Sequence, residues 1–162
     1  MKKFLKECIP YFAIIITVVL IRTFLITPVQ VDGPSMKPTL QDNQLLLLSK
    51  YKNDYQRFDI IIFNFNNSKL VKRVIGLPGD YIEYKDNKLY INGNYVEETF
   101  GHATTADFSL KDIGYQTIPK DMYFVEGDNR VDSLDSRYIG LISKKQIDGV
   151  VSISLWPLKK VK

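Results

Sequence analysis

The chain has 162 residues, about the length of one domain, and its formal net charge is +4. Residues 1–26 carry four basic side chains and one acidic one, which leaves 18 basic and 17 acidic side chains in the remainder. This near-neutral remainder excludes a nucleic-acid-binding surface, which needs clustered lysine and arginine. The one cysteine, Cys8, excludes an intrachain disulfide and a paired-cysteine metal site.

The first 26 residues predict a membrane anchor. A basic segment precedes an uncharged apolar run at 8–21, and the apolar pattern resumes after Arg22. A helix over residues 4–26 would be about 35 Å long, enough to cross a bilayer. Residues 23–28 are too bulky for a small-x-small cleavage site. We expect an uncleaved single-pass anchor in the cell membrane, with a cytoplasmic N-terminus and the rest of the chain on the extracytoplasmic side.

After residue 27 the pattern predicts a mostly β fold. Asn92-Gly93 indicates a tight turn, Ser143 to Gln146 indicates one short capped helix, and residues 97–114 are predicted to be irregular. We expect two antiparallel sheets or a coiled barrel. Apolar runs bounded by turn residues predict strands at 29–31, 44–49, 59–65, 70–75, 81–84, 88–91, 95–96, 122–126 and 150–155.

Ser35 is a candidate nucleophile. Pro34 and Pro38 stiffen the backbone around it, although such a segment alone is more typical of a plain turn. A serine hydroxyl needs a neighbouring base. The one histidine, His102, lies in a segment that indicates an exposed loop, so the candidate bases are lysines and carboxylates.

Lys72 is the lysine best placed to act as that base. It alternates with Leu70 and Val74 in a predicted strand and therefore shares their inward face, while Arg73 points the other way and stays charged. Burial can lower the pKa of a lysine from about 10.4, which a neutral amine base requires. The strand pattern alone leaves open a solvated lysine on an edge strand.

Three segments, together with the anchor, resemble the type I signal peptidases, the membrane-bound serine–lysine proteases of bacteria. They are Gly33–Leu40 (GPSMKPTL), Leu70–Asp80 (LVKRVIGLPGD) and Gly127–Arg137 (GDNRVDSLDSR), and they follow one another in the family's order. The resemblance implies that Ser35 is the nucleophile and Lys72 the general base.

The resemblance also implies a domain organisation. A catalytic β domain would comprise residues 27–81 and 119–162 after the anchor at 1–26, and a smaller β insertion would span residues 82–118. No cofactor is implied.

Further residues would support the dyad. The resemblance places the Ser133 hydroxyl where it hydrogen-bonds the lysine and orients it. It also places Asp128 near Arg73 and Asp135 against Arg137, as ion pairs that hold the third segment behind the site. The aspartates could instead be acid–base groups or metal ligands, but no histidine or glutamate joins them at ligand spacing, so no metal is expected.

The chain departs from the family pattern at three positions, two of them beside the nucleophile. Gly33 stands where some members carry a serine whose hydroxyl helps to form the oxyanion hole, which leaves the backbone N–H of Ser35 as a donor. Pro34 has no N–H to offer. Phe58 stands where glycine usually precedes Asp59, which affects packing more than chemistry.

The implied substrates are secreted preproteins, cut after a small-x-small sequence through an acyl-enzyme. Residues 29–32 could pair with the extended signal peptide by β-augmentation. Trp156 to Leu158, followed by two lysines, is a candidate contact with membrane lipid. The candidate pocket residues are all aliphatic and would serve equally well as ordinary core: Val29, Val31, Met36, Leu40, Leu70 and Val71.

Two other interpretations stay open. The chain could be a membrane-tethered homologue that binds preproteins and has little or no activity, but an intact Ser35, Lys72 and Ser133 argue against it. It could also be a serine–lysine protein that cleaves itself, but the anchor and the lack of a DNA-binding segment argue against this.

Overall fold

The computed structural model describes residues 2–24, 26–50, 54–101 and 103–161, so His102 lies outside the described residues. Two antiparallel sheets follow an N-terminal helix. The elements are α1 (Lys2–Phe24), β1 (Ile26–Gln30), β2 (Leu45–Ser49), β3 (Ile60–Phe65), β4 (Ser68–Gly76), β5 (Ile82–Lys85), β6 (Lys88–Ile91), β7 (Asn94–Val96), β8 (Phe108–Ser109), β9 (Met122–Glu126), α2 (Ser136–Ile139), β10 (Ile142–Ser143), β11 (Ile147–Trp156) and β12 (Leu158–Lys160).

The larger sheet has the strand order β1-β2-β11-β3-β4-β9-β10, with β12 paired to β11, and the smaller sheet has the order β7-β6-β5-β8. This confirms the predicted mostly β fold with two antiparallel sheets. All four strands of the smaller sheet come from the predicted insertion at 82–118. The division of the chain into a catalytic domain and an insertion stays a prediction.

Tight asparagine-rich turns explain why the hairpins form where the sequence predicts them. Asn66 and Asn67 have φ of 46° and 63°, and Asp86 and Asn87 have φ of 50° and 60°. Two consecutive left-handed residues match the right-handed twist of the flanking strands, and asparagine and aspartate tolerate that conformation. The turn at Asn66–Asn67 sets the register of β3 against β4, the strand that carries Lys72, and the turn at Asp86–Asn87 sets that of β5 against β6.

Five elements of the described chain were not predicted, namely β8, the 3-10 helix that follows it, α2, β10 and β12. Residues 97–114 end in β8 and a 3-10 helix, Leu110–Ile113, which begins with a capping box between Ser109 and Asp112. The prediction of an irregular segment was therefore wrong at its C-terminal end. Strand β12 follows the last predicted strand. It was not predicted because its pairing with β11 depends on a reversal of the chain at Pro157.

The helix α1 carries a continuous series of exposed apolar side chains. Among the described residues, no helix has the length and hydropathy needed to cross a membrane. The predicted anchor at 4–26 extends beyond the stretch whose side chains are described, and it stays a prediction. The exposed side chains, each 51% to 68% accessible, are Ile9, Tyr11, Phe12, Ile14, Ile15, Ile16, Val18, Val19 and Leu20.

Strand β4 separates two apolar cores. Val71 belongs to a first core with Met36 and Leu40 from the serine segment, whereas Val74 belongs to a second core with Ile61. Neighbouring side chains of one strand point to opposite faces, so the strand is buried on both sides. Burial of each aliphatic side chain stabilises the fold by about 1.5–3 kcal/mol, so β4 is a rigid support for Lys72.

Phe58 shows why the family pattern has glycine at its position. Its φ is 69°, in the left-handed region that favours glycine. The conformation turns its carbonyl group towards Arg73, whose Nη1 donates to it at 2.9 Å. The ring packs edge-on against Phe100, with 5.2 Å between ring centroids.

We expect Phe58→Gly to be more stable than Phe58→Ala by about 1 kcal/mol, because glycine adopts a positive φ freely and alanine does not. Both variants lose the ring contact, so their difference isolates the backbone. The measurement is the free energy of unfolding in denaturant. Phe63, buried in β3, is the matched control: there the alanine variant should be the more stable of the two. The same order at both positions would contradict a strained Phe58.

Candidate active site

Ser35 lies in a turn that is anchored on one side by the first core. Lys37 N donates to Pro34 O at 3.0 Å and Leu40 N donates to Met36 O at 2.9 Å, which closes two consecutive turns around the serine. The side chains of Met36 and Leu40 are almost fully buried. The half-buried serine is therefore held on a segment that Met36 and Leu40 fix in the core.

The side chains of Ser35 and Lys72 are in contact. Lys72 Nζ lies 2.7 Å from Ser35 Oγ and 3.0 Å from the carbonyl oxygen of Val71. Lys72 is 2% exposed. This burial lowers the pKa of its amine to about 8, while the carboxylates of Asp135 and Asp128 act in the opposite direction. The sequence prediction of an inward-facing Lys72 is thus confirmed.

Arg73, on the other face of β4, forms a buried bidentate ion pair. Its Nε and Nη2 donate to Asp128 Oδ1 and Oδ2 at 2.8 and 2.7 Å, and both side chains are almost completely buried. The hydroxyl of Thr39, at the end of the serine segment, donates to the same carboxylate. One carboxylate therefore connects the three segments that carry the resemblance.

The loop at 127–137 is also held by the second expected ion pair. Arg137 Nε and Nη2 donate to Asp135 Oδ1 and Oδ2 at 2.9 and 2.8 Å. The second of these oxygens also accepts the backbone N–H of Gly127 at 3.1 Å. A charged group buried with its hydrogen-bond partners rigidifies the backbone around it, so the start of the loop is well defined.

Gly127 is where this loop contacts the nucleophile. A Cβ atom there would lie 2.4 Å from the carbonyl oxygen of Ser35 and 2.3 Å from the Oγ of Ser133, so only glycine fits. Two residues further on, Asn129 N donates to the carbonyl oxygen of Ser35 at 3.0 Å. The loop thus packs directly against the backbone of the serine.

The expected hydrogen bond between Ser133 and Lys72 is not present. The Oγ of Ser133 is buried and makes no hydrogen bond with any described residue. It packs against Gly127, and Lys72 is hydrogen-bonded to Val71 instead. The structure brings Ser133 to the site, but it does not show the contact that the resemblance implied.

The six candidate pocket residues do not lie in one place. Leu70 packs against the second core, and Val29 lies at the margin of the first, where it lines a cavity of about 610 Å³. Val31, Met36, Leu40 and Val71 are buried in the first core. Their role as substrate pockets stays a prediction.

The backbone N–H of Ser35 is a free donor beside the nucleophile. Gly33, with φ of 90°, gives its N–H to Asp42 Oδ1 at 2.8 Å, and Pro34 has none. The N–H of Ser35 makes no hydrogen bond with any described residue. A free backbone N–H beside a nucleophile is the kind of group that stabilises a developing oxyanion.

A buried charge cluster behind the loop was missed by the sequence prediction. Glu126 and Arg130 are both buried and form an ion pair. Arg130 also pairs with Glu98, and its side chain is inaccessible to solvent. Burial raises the pKa of Glu126 to about 7, although two arginines oppose the shift. The signal that could have indicated this cluster is an acidic residue, Glu126, at the end of an apolar strand. No group of metal-ligating side chains occurs among the residues that the structure describes.

We expect Asp128→Asn to lower the free energy of unfolding by about 3–5 kcal/mol, because it leaves the charge of Arg73 buried without its partner. Chemical denaturation of the full chain in detergent measures this loss. The matched control is Asp54→Asn. Asp54 pairs with Lys144 at 3.6 Å but is 99% exposed, so its replacement should change little. Equal effects at the two positions would contradict a structural role for the buried pair.

Comparison with known proteins gives one consistent family. Residues 2–156 match the family model described as signal peptidase, peptidase S26. The chain is 42% identical over 165 residues to signal peptidase I V of Bacillus subtilis (strain 168), which covers 91% of this chain and 98% of the relative. It is 38% identical over 181 residues to signal peptidase IB of Staphylococcus aureus (strain N315), with 100% and 95% covered. A crystal structure of a signal peptidase I from Enterococcus faecalis V583 is 41% identical, has a TM-score of 0.56, and covers 60% of this chain and 96% of that chain.

Proposed function

Since the chain belongs to the signal peptidase family, peptidase S26, and is a serine endopeptidase that removes signal peptides from preproteins, we propose that Ser35 is its nucleophile and Lys72 its general base. The observation that carries the proposal is the 2.7 Å contact between Lys72 Nζ and Ser35 Oγ. Burial that holds the amine pKa near 8 supports it, because a lysine must be neutral to accept a proton.

The first half of the reaction forms an acyl-enzyme. The neutral amine of Lys72 accepts the hydroxyl proton of Ser35 as the oxygen attacks the carbonyl carbon of the scissile peptide bond. The tetrahedral intermediate carries its negative charge on the former carbonyl oxygen, next to the N–H of Ser35. The intermediate collapses when the ammonium of Lys72 returns the proton to the leaving nitrogen, which releases the mature protein.

The second half hydrolyses the ester. Lys72, again neutral, removes a proton from a water molecule that attacks the acyl carbon. The same amine then donates the proton to the departing Ser35 oxygen, which frees the signal peptide and restores the enzyme. One buried amine therefore serves as base and acid in turn, and the two Asp–Arg pairs hold the backbone on which the serine rests.

The sheet edge at β1 supports the proposed mode of substrate binding. β1 is the terminal strand of the larger sheet, and no described strand pairs with its outer edge. An extended signal peptide can add to such an edge through backbone hydrogen bonds, which impose no side-chain preference. Selection of a small-x-small site would then come from shallow pockets on the first core, where the proposed lining is Val31, Met36 and Val71.

We further propose that the enzyme works at a membrane, with residues 4–26 as its anchor, a cytoplasmic N-terminus and the catalytic part on the extracytoplasmic side. The exposed apolar series along α1 supports this. A second apolar surface lies at the β11–β12 hairpin, where Trp156 and Leu158 are 78% and 79% exposed and Trp156 is paired with the exposed Leu45. Tryptophan beside lysine favours the membrane interface, so the hairpin would contact lipid.

We expect Ser35→Ala and Lys72→Ala each to reduce cleavage of a preprotein by several orders of magnitude without unfolding the protein. Lys72→Arg should fail as well, because arginine does not deprotonate in a protein. In the unmodified enzyme kcat/KM should rise with pH and level off above a midpoint near 8, where Lys72 loses its proton.

Lys69 is the matched control for these variants. It lies on the same strand but is solvent-exposed and paired with Asp148, so Lys69→Ala should keep both the activity and the midpoint. Normal turnover by Ser35→Ala, or a pH profile that is flat through this range, would refute the dyad.

We expect the fluorescence of Trp156 to be quenched when the full chain is reconstituted into vesicles whose phospholipids carry bromine near the headgroup. Trp156 is the one tryptophan of the chain, so its fluorescence is unambiguous. The control is a Trp156→Phe, Tyr95→Trp protein, which moves the indole to an exposed position on the smaller sheet. Similar quenching in both proteins would exclude the hairpin as the lipid contact.

A further inference from the structure

Asn129 binds the serine segment at two neighbouring peptide groups. Its backbone N–H donates to the carbonyl oxygen of Ser35 at 3.0 Å, and its side-chain Nδ2 donates to the carbonyl oxygen of Pro34 at 3.3 Å. A carbonyl oxygen can only accept, so the nitrogen of the carboxamide and not its oxygen faces Pro34. One residue of the loop therefore holds the carbonyl groups on both sides of the α-carbon of Ser35.

The carbonyl group of Pro34 belongs to the same peptide group as the N–H of Ser35. This peptide bond is trans, and in a planar trans peptide the C=O and the N–H point in opposite directions. Whatever holds the carbonyl oxygen thus also sets the direction of the N–H that lies beside the nucleophile. Among the described residues two donors hold that oxygen, the N–H of Lys37 at 3.0 Å and Nδ2 of Asn129.

The covalent structure of the segment does not fix this peptide group. The ring of Pro34 locks its φ but leaves its ψ free, and Ser35 keeps the ordinary freedom of its own φ. Opposite rotations about these two bonds turn the peptide group over while the side chains at either end hardly move. Burial of Met36 in the first core does not prevent that rotation, so the hydrogen bonds to the carbonyl oxygen have to.

Asn129 is itself carried on a well-fixed backbone. The residue before it, Asp128, is bound by Arg73 through two contacts of 2.8 and 2.7 Å, and the carbonyl oxygen of Asn129 accepts the N–H of Asp132 at 3.1 Å. The backbone is therefore in place before the side chain is ordered, and only the rotamer of the carboxamide has to be selected for Nδ2 to reach Pro34.

We propose that Asn129 is a positioning residue for the reaction: its carboxamide holds the Pro34–Ser35 peptide group in the orientation that directs the N–H of Ser35 at the oxyanion of the tetrahedral intermediate. This inference rests on the proposed role of Ser35. Gly33 has no side-chain donor and gives its own N–H to Asp42 at 2.8 Å, so it cannot replace a misdirected N–H.

Asn129→Ala removes the carboxamide and keeps the backbone N–H that binds Ser35. For the full chain acting on a preprotein in detergent, we expect kcat to fall by about tenfold or more while KM stays unchanged. An oxyanion donor acts in the transition state, and complete loss of one lowers kcat by about 10²–10³. The pH midpoint of kcat/KM should not move, because the variant does not touch Lys72.

Gln41→Ala is the matched control. Gln41 is exposed, and its carboxamide donates to the carbonyl oxygen of Pro38 at 3.2 Å. The control therefore loses the same kind of bond to a proline carbonyl close to Ser35, but from a different peptide group, and its kcat and KM should match those of the unmodified enzyme. Equal kcat in Asn129→Ala and Gln41→Ala, or a rise in KM without a fall in kcat, would overturn the proposal.

A second measurement does not depend on activity. The sequence contains one Pro-Ser pair, so the full chain labelled with 13C at proline carbonyl carbons and 15N at serine has one amide resonance coupled to a labelled carbonyl, that of Ser35. This resonance should be single and narrow in the unmodified protein and in Gln41→Ala. In Asn129→Ala it should broaden by exchange or divide in two, because the peptide group then adopts two orientations.

The two measurements separate this proposal from the dyad. A single narrow resonance in Asn129→Ala would overturn the positioning role even if Ser35→Ala is inactive, and the dyad would then stand without it. If Ser35→Ala still cleaves a preprotein while the resonance of Asn129→Ala broadens, the nucleophile has been misassigned and Asn129 still orients the peptide group.

Discussion

Two adjacent cations on β4 must behave in opposite ways, and the rest of the site depends on keeping them apart. Lys72 has to lose its proton, and Arg73 has to keep its charge. The alternation of the strand sends them to opposite faces. On one face Lys72 meets apolar side chains and a hydroxyl. On the other, Arg73 meets the carboxylate of Asp128, whose bidentate contact offsets the loss of water around both charges.

The two aspartate–arginine pairs have an electrostatic effect as well as a structural one. Asp128 and Asp135 are the two carboxylates that act on Lys72, and each favours its charged form. Each is also neutralised by an arginine in direct contact. Without those arginines, two bare carboxylates near the amine would raise its pKa further. The pairs therefore protect the low pKa of the base while they hold the loop against the serine.

The parts of the fold that follow from local signals were predictable from the sequence. Asn66-Asn67 and Asn92-Gly93 mark turns whatever the rest of the chain does, and the alternation around Lys72 gives its inward orientation. Strands β8, β10 and β12 were missed, because a short strand forms only where a partner strand elsewhere in the fold pairs with it. The contact of Lys72 with Ser35 followed from the resemblance, since no local pattern relates segments 37 residues apart. Glu126 was missed for the same reason: its burial depends on residues that only the folded chain brings together.

The short stretch of chain between α1 and Ser35 limits how far the serine can lie from the end of the helix. Only residue 25 separates the end of α1 from the start of β1, and nine residues lead from Ile26 to Ser35. A chain of nine residues reaches at most about 30 Å even when fully extended. If residues 4–26 are the anchor that we propose, the serine is confined to a thin layer above the lipid. Peptide bonds far from the bilayer would then stay out of its reach whatever their sequence, and the length of this connection would select substrates before any pocket does.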